Sequence, residues 1–191
     1  KYNQKLKKIL KKKLECIDTK TIREELNIEK FRDGFTLASQ MKRQFTIVVG
    51  LTNAGKTFTT VDLLQKAKTG VYIAPLRLLA IEIYDKLNEA KIPCNLHTGE
   101  EHIIKENARH SASTVEMLDT TRKIDVAVID EFQMLQDTQR GWAWTAAVLG
   151  VPAKNIYLVG SREMLPVVQK WLDFMGEKYS IVECERKTPL T

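Results

Sequence analysis

The chain has 191 residues, 43% of them apolar, with 30 Lys+Arg against 24 Asp+Glu and a formal net charge of +6. At roughly 100–200 residues per domain this is one domain with its own core, and 28% charged residues among plentiful Leu, Ile and Val exclude an intrinsically disordered chain. No apolar run approaches the ~18 residues of a membrane span, the lysine-broken start KYNQKLKKILKKK is no secretory signal, and three widely spaced cysteines, Cys16, Cys94 and Cys184, exclude a disulfide framework and a zinc ribbon.

Each cysteine reads as a small buried apolar residue in a reducing compartment. The missing initiator Met suggests a piece cut from a longer chain. Residues 1–40 hold 11 Lys+Arg and 6 Asp+Glu, a net of +5, which leaves +1 for residues 41–191. In this basic segment Leu6, Leu10 and Leu14 recur every four residues, and Ile22, Leu26 and Ile28 follow the Asp18-Thr19 cap. Two short helices and a linker around Arg32, Asp33 and Gly34 are expected. Lys11, Lys12 and Lys13 read as a solvated face.

From Gln44 short apolar runs alternate with helical patterns. Strands are expected at 45–49, 71–74, 124–130, 155–160 and 179–184. Helices are expected at 57–68, ended by Gly70, then at 77–90, at 140–150 with Gly150 and Pro152 as stop signals, and at 163–175 with Pro166 in the first turn. Strands alternating with helices of this length predict an α/β fold: a mainly parallel sheet with helices on both faces, preceded by the short N-terminal helical segment.

Residues 50–57 read GLTNAGKT, which fits G-x-x-x-x-G-K-[ST] between a buried strand and a helix, the context that a phosphate-binding loop requires. Gly50 and Gly55, with Thr52, Asn53 and Ala54 between them, let the backbone wrap a phosphate and aim its N–H groups inward. The helix N-terminus adds its positive dipole end. Lys56 supplies a charge to the β- and γ-phosphates, and Thr57 offers a hydroxyl to Mg²⁺.

The strand at 124–130 ends in adjacent carboxylates, Asp130-Glu131-Phe132-Gln133. Carboxylates at a strand's C-terminal edge sit where open α/β sheets bind ligands. Asp130 is suited to hold Mg²⁺ through its water shell, and Glu131 to position and deprotonate an attacking water. These motifs define a Mg-nucleotide site without choosing the reaction. An NTP-hydrolysing motor and a P-loop nucleoside kinase of the thymidine type both remain, although such kinases carry a Cys-rich zinc lobe and the only late cysteine here is Cys184.

Further segments occur in a telling order: APLRLLA (74–80), HTGEE (97–101), STVEM (113–117), DEFQM (130–134) and RGWAWT (140–145). Over residues 44–161 this series resembles the first RecA-like lobe of superfamily-two DExH-type RNA helicases, and most closely the suppressor-of-Var group of the mitochondrial degradosome and its bacterial relatives. The resemblance implies a RecA-like P-loop NTPase domain over 41–191. Its ATP and Mg²⁺ residues match Lys56, Thr57, Asp130 and Glu131, and Gln133 matches the position that links nucleotide to the second lobe. Pro75, Leu76 and Arg77 match a first RNA-contacting motif, Thr98 and Gly99 a second, and Thr114 with Glu116 a third. Glu116 suits a 2′-OH contact or a cap better than a phosphate. Gly160 and Ser161 stand where relatives have Ser-Ala-Thr, a departure from the coupling motif.

The likeness also implies partners: single-stranded RNA or DNA, a second RecA-like lobe supplying arginine fingers, and a ribonuclease. It implies the bacterial cytoplasm, or the mitochondrial matrix in a eukaryote. Only about 30 residues follow the lobe, so the chain alone is expected to hydrolyse ATP slowly and not to unwind. Trp142 and Trp144, two apart on a helix, face different sides, and at least one belongs in the core. His97, His102 and His110 lack metal-ligand spacing.

Overall fold

A computed structural model of the protein describes residues 34–50 and 56–184, with the backbone alone described at residues 56–58. The chain divides into two compact units, Lys1–Thr36 and Leu37–Thr191, and the sheet with its covering helices belongs to the second. The two helices expected before residue 34, Cys16, the lysine run 11–13 and loop residues Thr52, Asn53, Ala54 and Gly55 lie outside the described residues.

Eight strands form one sheet. They are β1 (Gln44–Gly50), β2 (Gly70–Ala74), β3 (Cys94–His97), β4 (His102–Ile103), β5 (His110–Thr114), β6 (Ile124–Ile129), β7 (Ala153–Gly160) and β8 (Lys178–Cys184), in the order β4-β3-β5-β2-β6-β7-β1-β8. Every pairing is parallel except β3 with β4. Among the described residues four helices of ten or more residues cover it: α1 (Lys56–Lys66), α2 (Arg77–Glu89), α3 (Gly141–Gly150) and α4 (Leu165–Met175). This is the α/β architecture expected from the strand and helix patterns. No helix among the described residues is long and apolar enough to cross a membrane.

Period-two alternation sorts the strand residues between two cores. Tyr72, Ala74, Val128 and Val159 pack under α1 and α2, against Val61, Leu64, Ala80, Ile83 and Leu87. Val71, Ile73, Ile129 and Leu158 face the other way, against Trp144, Val148, Val168 and Leu172 of α3 and α4. Cys94 is buried in the first core, where desolvation pushes its thiol up to about 12 and keeps it protonated. Cys184 is half-buried.

Gly70 departs from expectation. It does not stop α1, which ends at Lys66; it is the first residue of β2. A side chain at Gly70 would collide with Leu64 Cδ1, so the glycine lets α1 lie close against the strand.

The sheet is pinned at its lower end by Arg43, whose side chain is fully buried. Its Nη1 donates to the carbonyls of Val148 (2.7 Å) and Leu149 (3.3 Å), near the end of α3, and its Nη2 pairs with Glu177 at 2.6 Å. The guanidinium thus satisfies helix-end carbonyls and complements the negative end of the helix dipole.

Candidate functional site

The strands β1, β2, β3, β5, β6 and β7 end at one edge, and the motif residues gather there. Gly50 ends β1, Pro75 follows β2, Thr98 follows β3, Thr114 ends β5, Asp130 follows β6 and Ser161 follows β7. The parallel register aligns them, with Ala74 beside Thr114 and Val49 beside Gly160. Lys56 and Thr57 are the first two residues of α1, at its positive end.

Asp130 is 4% exposed. Its Oδ2 accepts from the Tyr72 hydroxyl at 2.6 Å, and its Oδ1 accepts the Glu131 N–H at 2.8 Å. These bonds orient the carboxylate, and a carboxylate so placed suits a divalent ion's water shell. Tyr72 was not singled out from the sequence. Its only signal there is a hydroxyl-bearing ring inside an otherwise apolar strand.

Glu131 adopts φ 48° and ψ 46°, the left-handed region that a non-glycine residue enters only at a cost of ~1–3 kcal/mol. That backbone turns the chain sharply out of β6, so Asp130 and the half-buried Glu131 project differently. Gln133 connects two motifs. Its Nε2 donates to Glu131 Oε2, and its Oε1 accepts the Ser161 N–H at 3.1 Å. A Cβ on Gly160 would stand 2.5 Å from both Gln133 Oε1 and Met164 Sδ. A side chain at this position would displace the Gln133 amide or the Met164 thioether, so the glycine leaves Gln133 room to reach Ser161. Gly160→Ala is expected to push Gln133 off Ser161 and to destabilise the fold by about 1–3 kcal/mol. Urea denaturation checks this, and a parent-like midpoint would count against the close packing at Gly160.

The residues matched to nucleic-acid motifs form a second cluster. Arg77, the first residue of α2, donates from Nε to both Glu101 oxygens at 2.8 Å and approaches Glu100 at 3.3 Å. The Thr98 hydroxyl donates to Glu101 and accepts the N–H groups of Glu100 (3.2 Å) and Glu101 (2.8 Å). Thr98 and Thr114 are only 4% and 9% exposed, and Pro75 is buried. Leu76, Arg77 and Gly99 are exposed. The hydroxyl of Thr98 is thus spent on its own turn, and what this turn offers outward is the backbone around Gly99.

Helix α3 connects the two clusters. Asp137 accepts the N–H groups of Arg140 (2.7 Å) and Gln139 (2.9 Å), which hold its carboxyl below the usual carboxylate range and anchor the helix entry. Arg140 Nη2 donates to the Pro75 carbonyl at 2.7 Å and to Glu116 at 2.8 Å. Its guanidinium also lies over the Trp144 ring, 5.4 Å from the centroid. One turn on, fully buried Trp144 donates from Nε1 to the Asp130 carbonyl at 3.0 Å. Of the two tryptophans, then, Trp144 is core and Trp142 is 63% exposed. Glu116 accepts from Arg140 Nε (2.9 Å) and Nη2 (2.8 Å), a side-chain ion pair rather than a helix cap.

The comparison with known families settles the lineage. A model described as the DEXQ-box helicase domain of Suv3 matches residues 32–184. The chain belongs to that family. Similar relatives include the mitochondrial ATP-dependent RNA helicase SUV3 homolog of Caenorhabditis elegans, 45% identical over 157 residues, which cover 80% of this chain and 22% of the relative. The mitochondrial DExH-box ATP-dependent RNA helicase DExH16 of Arabidopsis thaliana is 42% identical over 156 residues, covering 82% of this chain and 27% of the relative. This chain therefore spans about a quarter of such relatives. Among solved structures, a DEAD box protein from Methanococcus jannaschii superposes with a TM-score of 0.56 at 16% identity, over 79% of this chain and 47% of that one. An arterivirus nonstructural protein 10 helicase gives 0.52 at 11% identity, over 79% and 37%. These likenesses show the RecA-like helicase fold. The nucleoside-kinase alternative is set aside by the family match.

Proposed function

We propose that this DEXQ-box domain is the ATP-binding lobe of an ATP-dependent RNA helicase, coupling ATP hydrolysis to movement along single-stranded RNA. The observation that carries this reading is α3. Arg140, at its N-cap, holds the Pro75 carbonyl and Glu116, and Trp144, one turn on, holds the Asp130 carbonyl. A shift at the carboxylates is thereby transmitted to the nucleic-acid motifs through one rigid helix.

In this reading the loop from Gly50 through Thr52, Asn53, Ala54 and Gly55 wraps the ATP phosphates, and Lys56 sits against the β- and γ-groups. Thr57, and Asp130 through a water shell, would hold Mg²⁺, which would supply neutralising charge beside the phosphates. Glu131 orients the attacking water and takes its proton. Gln133 reports on Glu131 to the Gly160-Ser161 turn. Leu76, Arg77 and the backbone at Gly99 meet the RNA strand, and Pro75, Thr98 and Thr114 shape that surface from beneath.

A second RecA-like lobe completes the ATP site, and a ribonuclease is a suitable partner for an RNA-translocating motor. The relatives from Caenorhabditis elegans and Arabidopsis thaliana bear mitochondrial names, which support the mitochondrial matrix and give no support to the bacterial cytoplasm.

The test is Arg77→Ala. Single-stranded RNA affinity, followed by fluorescence anisotropy across a salt series, is expected to fall several-fold, with the slope of log K against log[salt] shrinking by about 0.7 for one lost phosphate contact. An unchanged slope with unchanged affinity would remove Arg77 from the RNA surface.

A further inference from the structure

Beyond β2 one face of the sheet changes character. Register aligns Val71 with Ser111 and Asn95 in one row, and Ile73 with Ser113 and His97 in the next. Val71 and Ile73 belong to the core beneath α3 and α4. Their neighbours on β5 and β3 are polar, and they line a cavity of about 240 Å³ closed on one side by the segment Met117–Ile124. Four strand spacings separate β5 from β1, roughly 19 Å at ~4.8 Å each, so this cavity is distinct from the nucleotide loop.

Two independent observations mark it as a ligand site. The first is Ser113, 2% exposed, whose Oγ is the one buried side-chain polar atom among the described residues without a hydrogen-bond partner. A buried hydroxyl is normally paired, and a ligand oxygen in the cavity would pair this one. The second is the distribution of arginines. Arg43, Arg77, Arg140 and Arg162 each form an ion pair, with Glu177, Glu100 and Glu101, Glu116 and Glu183 respectively. The two described arginines with no ion pair, Arg109 and Arg122, both line this cavity.

The wall carries one opposing charge, Asp119, which accepts from the Thr121 N–H (2.8 Å) and hydroxyl (2.6 Å); these bonds and, more weakly, the nearby Arg122 hold its carboxyl below the ordinary range, although Arg122 forms no ion pair with it. Burial holds His97 and His110 below their ordinary value, and the neighbouring His102 lowers His97 further against a partial rise from Asp119, so neither adds charge at neutral pH. Asn95 uses its Oδ1 on the Lys105 N–H (2.9 Å), which identifies its amide NH₂ as the group left to donate.

We propose that this cavity binds the phosphoryl group of a small phosphate ester, held by Arg109 and Arg122 with Ser113 and Asn95 as neutral donors. Two guanidinium forks with added donors suit the three oxygens of a phosphoryl group better than the two of a carboxylate. The volume exceeds a bare phosphate, and Ile104 and Met117 supply apolar wall for the ester's organic part.

The test is titration of the ¹⁵N-labelled chain at constant ionic strength with inorganic phosphate and, separately, ribose 5-phosphate. A Lys56→Ala background removes binding at the nucleotide loop. Saturating amide shifts at Ser111, Ser113 and Arg122 are expected, tighter for the ester. Arg109→Gln with Arg122→Gln should weaken binding at least tenfold, and Ser113→Ala about threefold or more. Shifts that chloride reproduces, that stay within residues 50–57, or that survive the double substitution would overturn the proposal. Without phosphate, Ser113→Ala is expected to melt at or above the parent temperature, and a clearly lower melting point would show a partnered hydroxyl and overturn it too.

Discussion

Glu131→Gln is expected to lower the turnover number for ATP hydrolysis by roughly 10²–10⁴-fold, the range for removing a positioned general base, while ATP affinity stays within about twofold. The substitution keeps the shape of the side chain and the N–H that donates to Asp130 Oδ1. It also keeps an amide oxygen able to accept from Gln133 Nε2. The left-handed backbone at this position is unchanged, so stability should move by no more than about 0.5 kcal/mol. The measurement belongs in a chain carrying a second lobe, because the first alone is expected to turn over too slowly to resolve a large loss. Equal hydrolysis rates in parent and variant would remove Glu131 from the chemistry.

Trp144 should give the largest stability effect. Its ring is fully buried among Ile73, Ile129 and the α3 core, and its Nε1–H satisfies the Asp130 carbonyl. Trp144→Ala removes a whole indole and is expected to cost about 3–5 kcal/mol, a large part of the 5–15 kcal/mol that holds a typical domain together. Trp144→Phe keeps much of the packing but removes the indole donor to the Asp130 carbonyl, at about 1–3 kcal/mol. Urea unfolding reads both as a shift of midpoint at constant slope. Trp144→Phe should also slow ATP turnover in the surviving folded protein, because the carbonyl that Trp144 holds belongs to Asp130. A Phe variant with the parent midpoint would mean the hydrogen bond contributes nothing.

Five of the eight described strands, the four long helices and their placement on both faces were legible because they rest on local patterns, whereas the short strands β3, β4 and β5 were not among those expected. Period-two runs such as Val71 to Ala74, the Gly-rich turn before α1, and a carboxylate pair after an apolar strand each carry their meaning within a few residues. What connects the motifs was not legible. Tyr72 with Asp130, Arg140 with Glu116 and Pro75, and Arg43 with the end of α3 are pairings across 24 to 105 positions, and no spacing rule encodes them. Gly70 was misread for a related reason. A glycine after a helical run signals a helix stop, and its actual requirement, room for Leu64, exists only once α1 is folded against β2. Thr98 shows the converse. Its position in the motif suggested a contact for a ligand, and its hydroxyl is committed inside its own turn.

The guanidinium of Arg77 already has carboxylate company in Glu100 and Glu101. A phosphate arriving there exchanges one anionic neighbour for another, so the net gain is smaller than for an unpaired cation, and departure is eased because the carboxylates reoccupy the vacated place. In the proposed role along a single strand, such a grip would suit better than a tight one, because each hold would release with little delay and the energy of a nucleotide cycle would go into stepping rather than into pulling free.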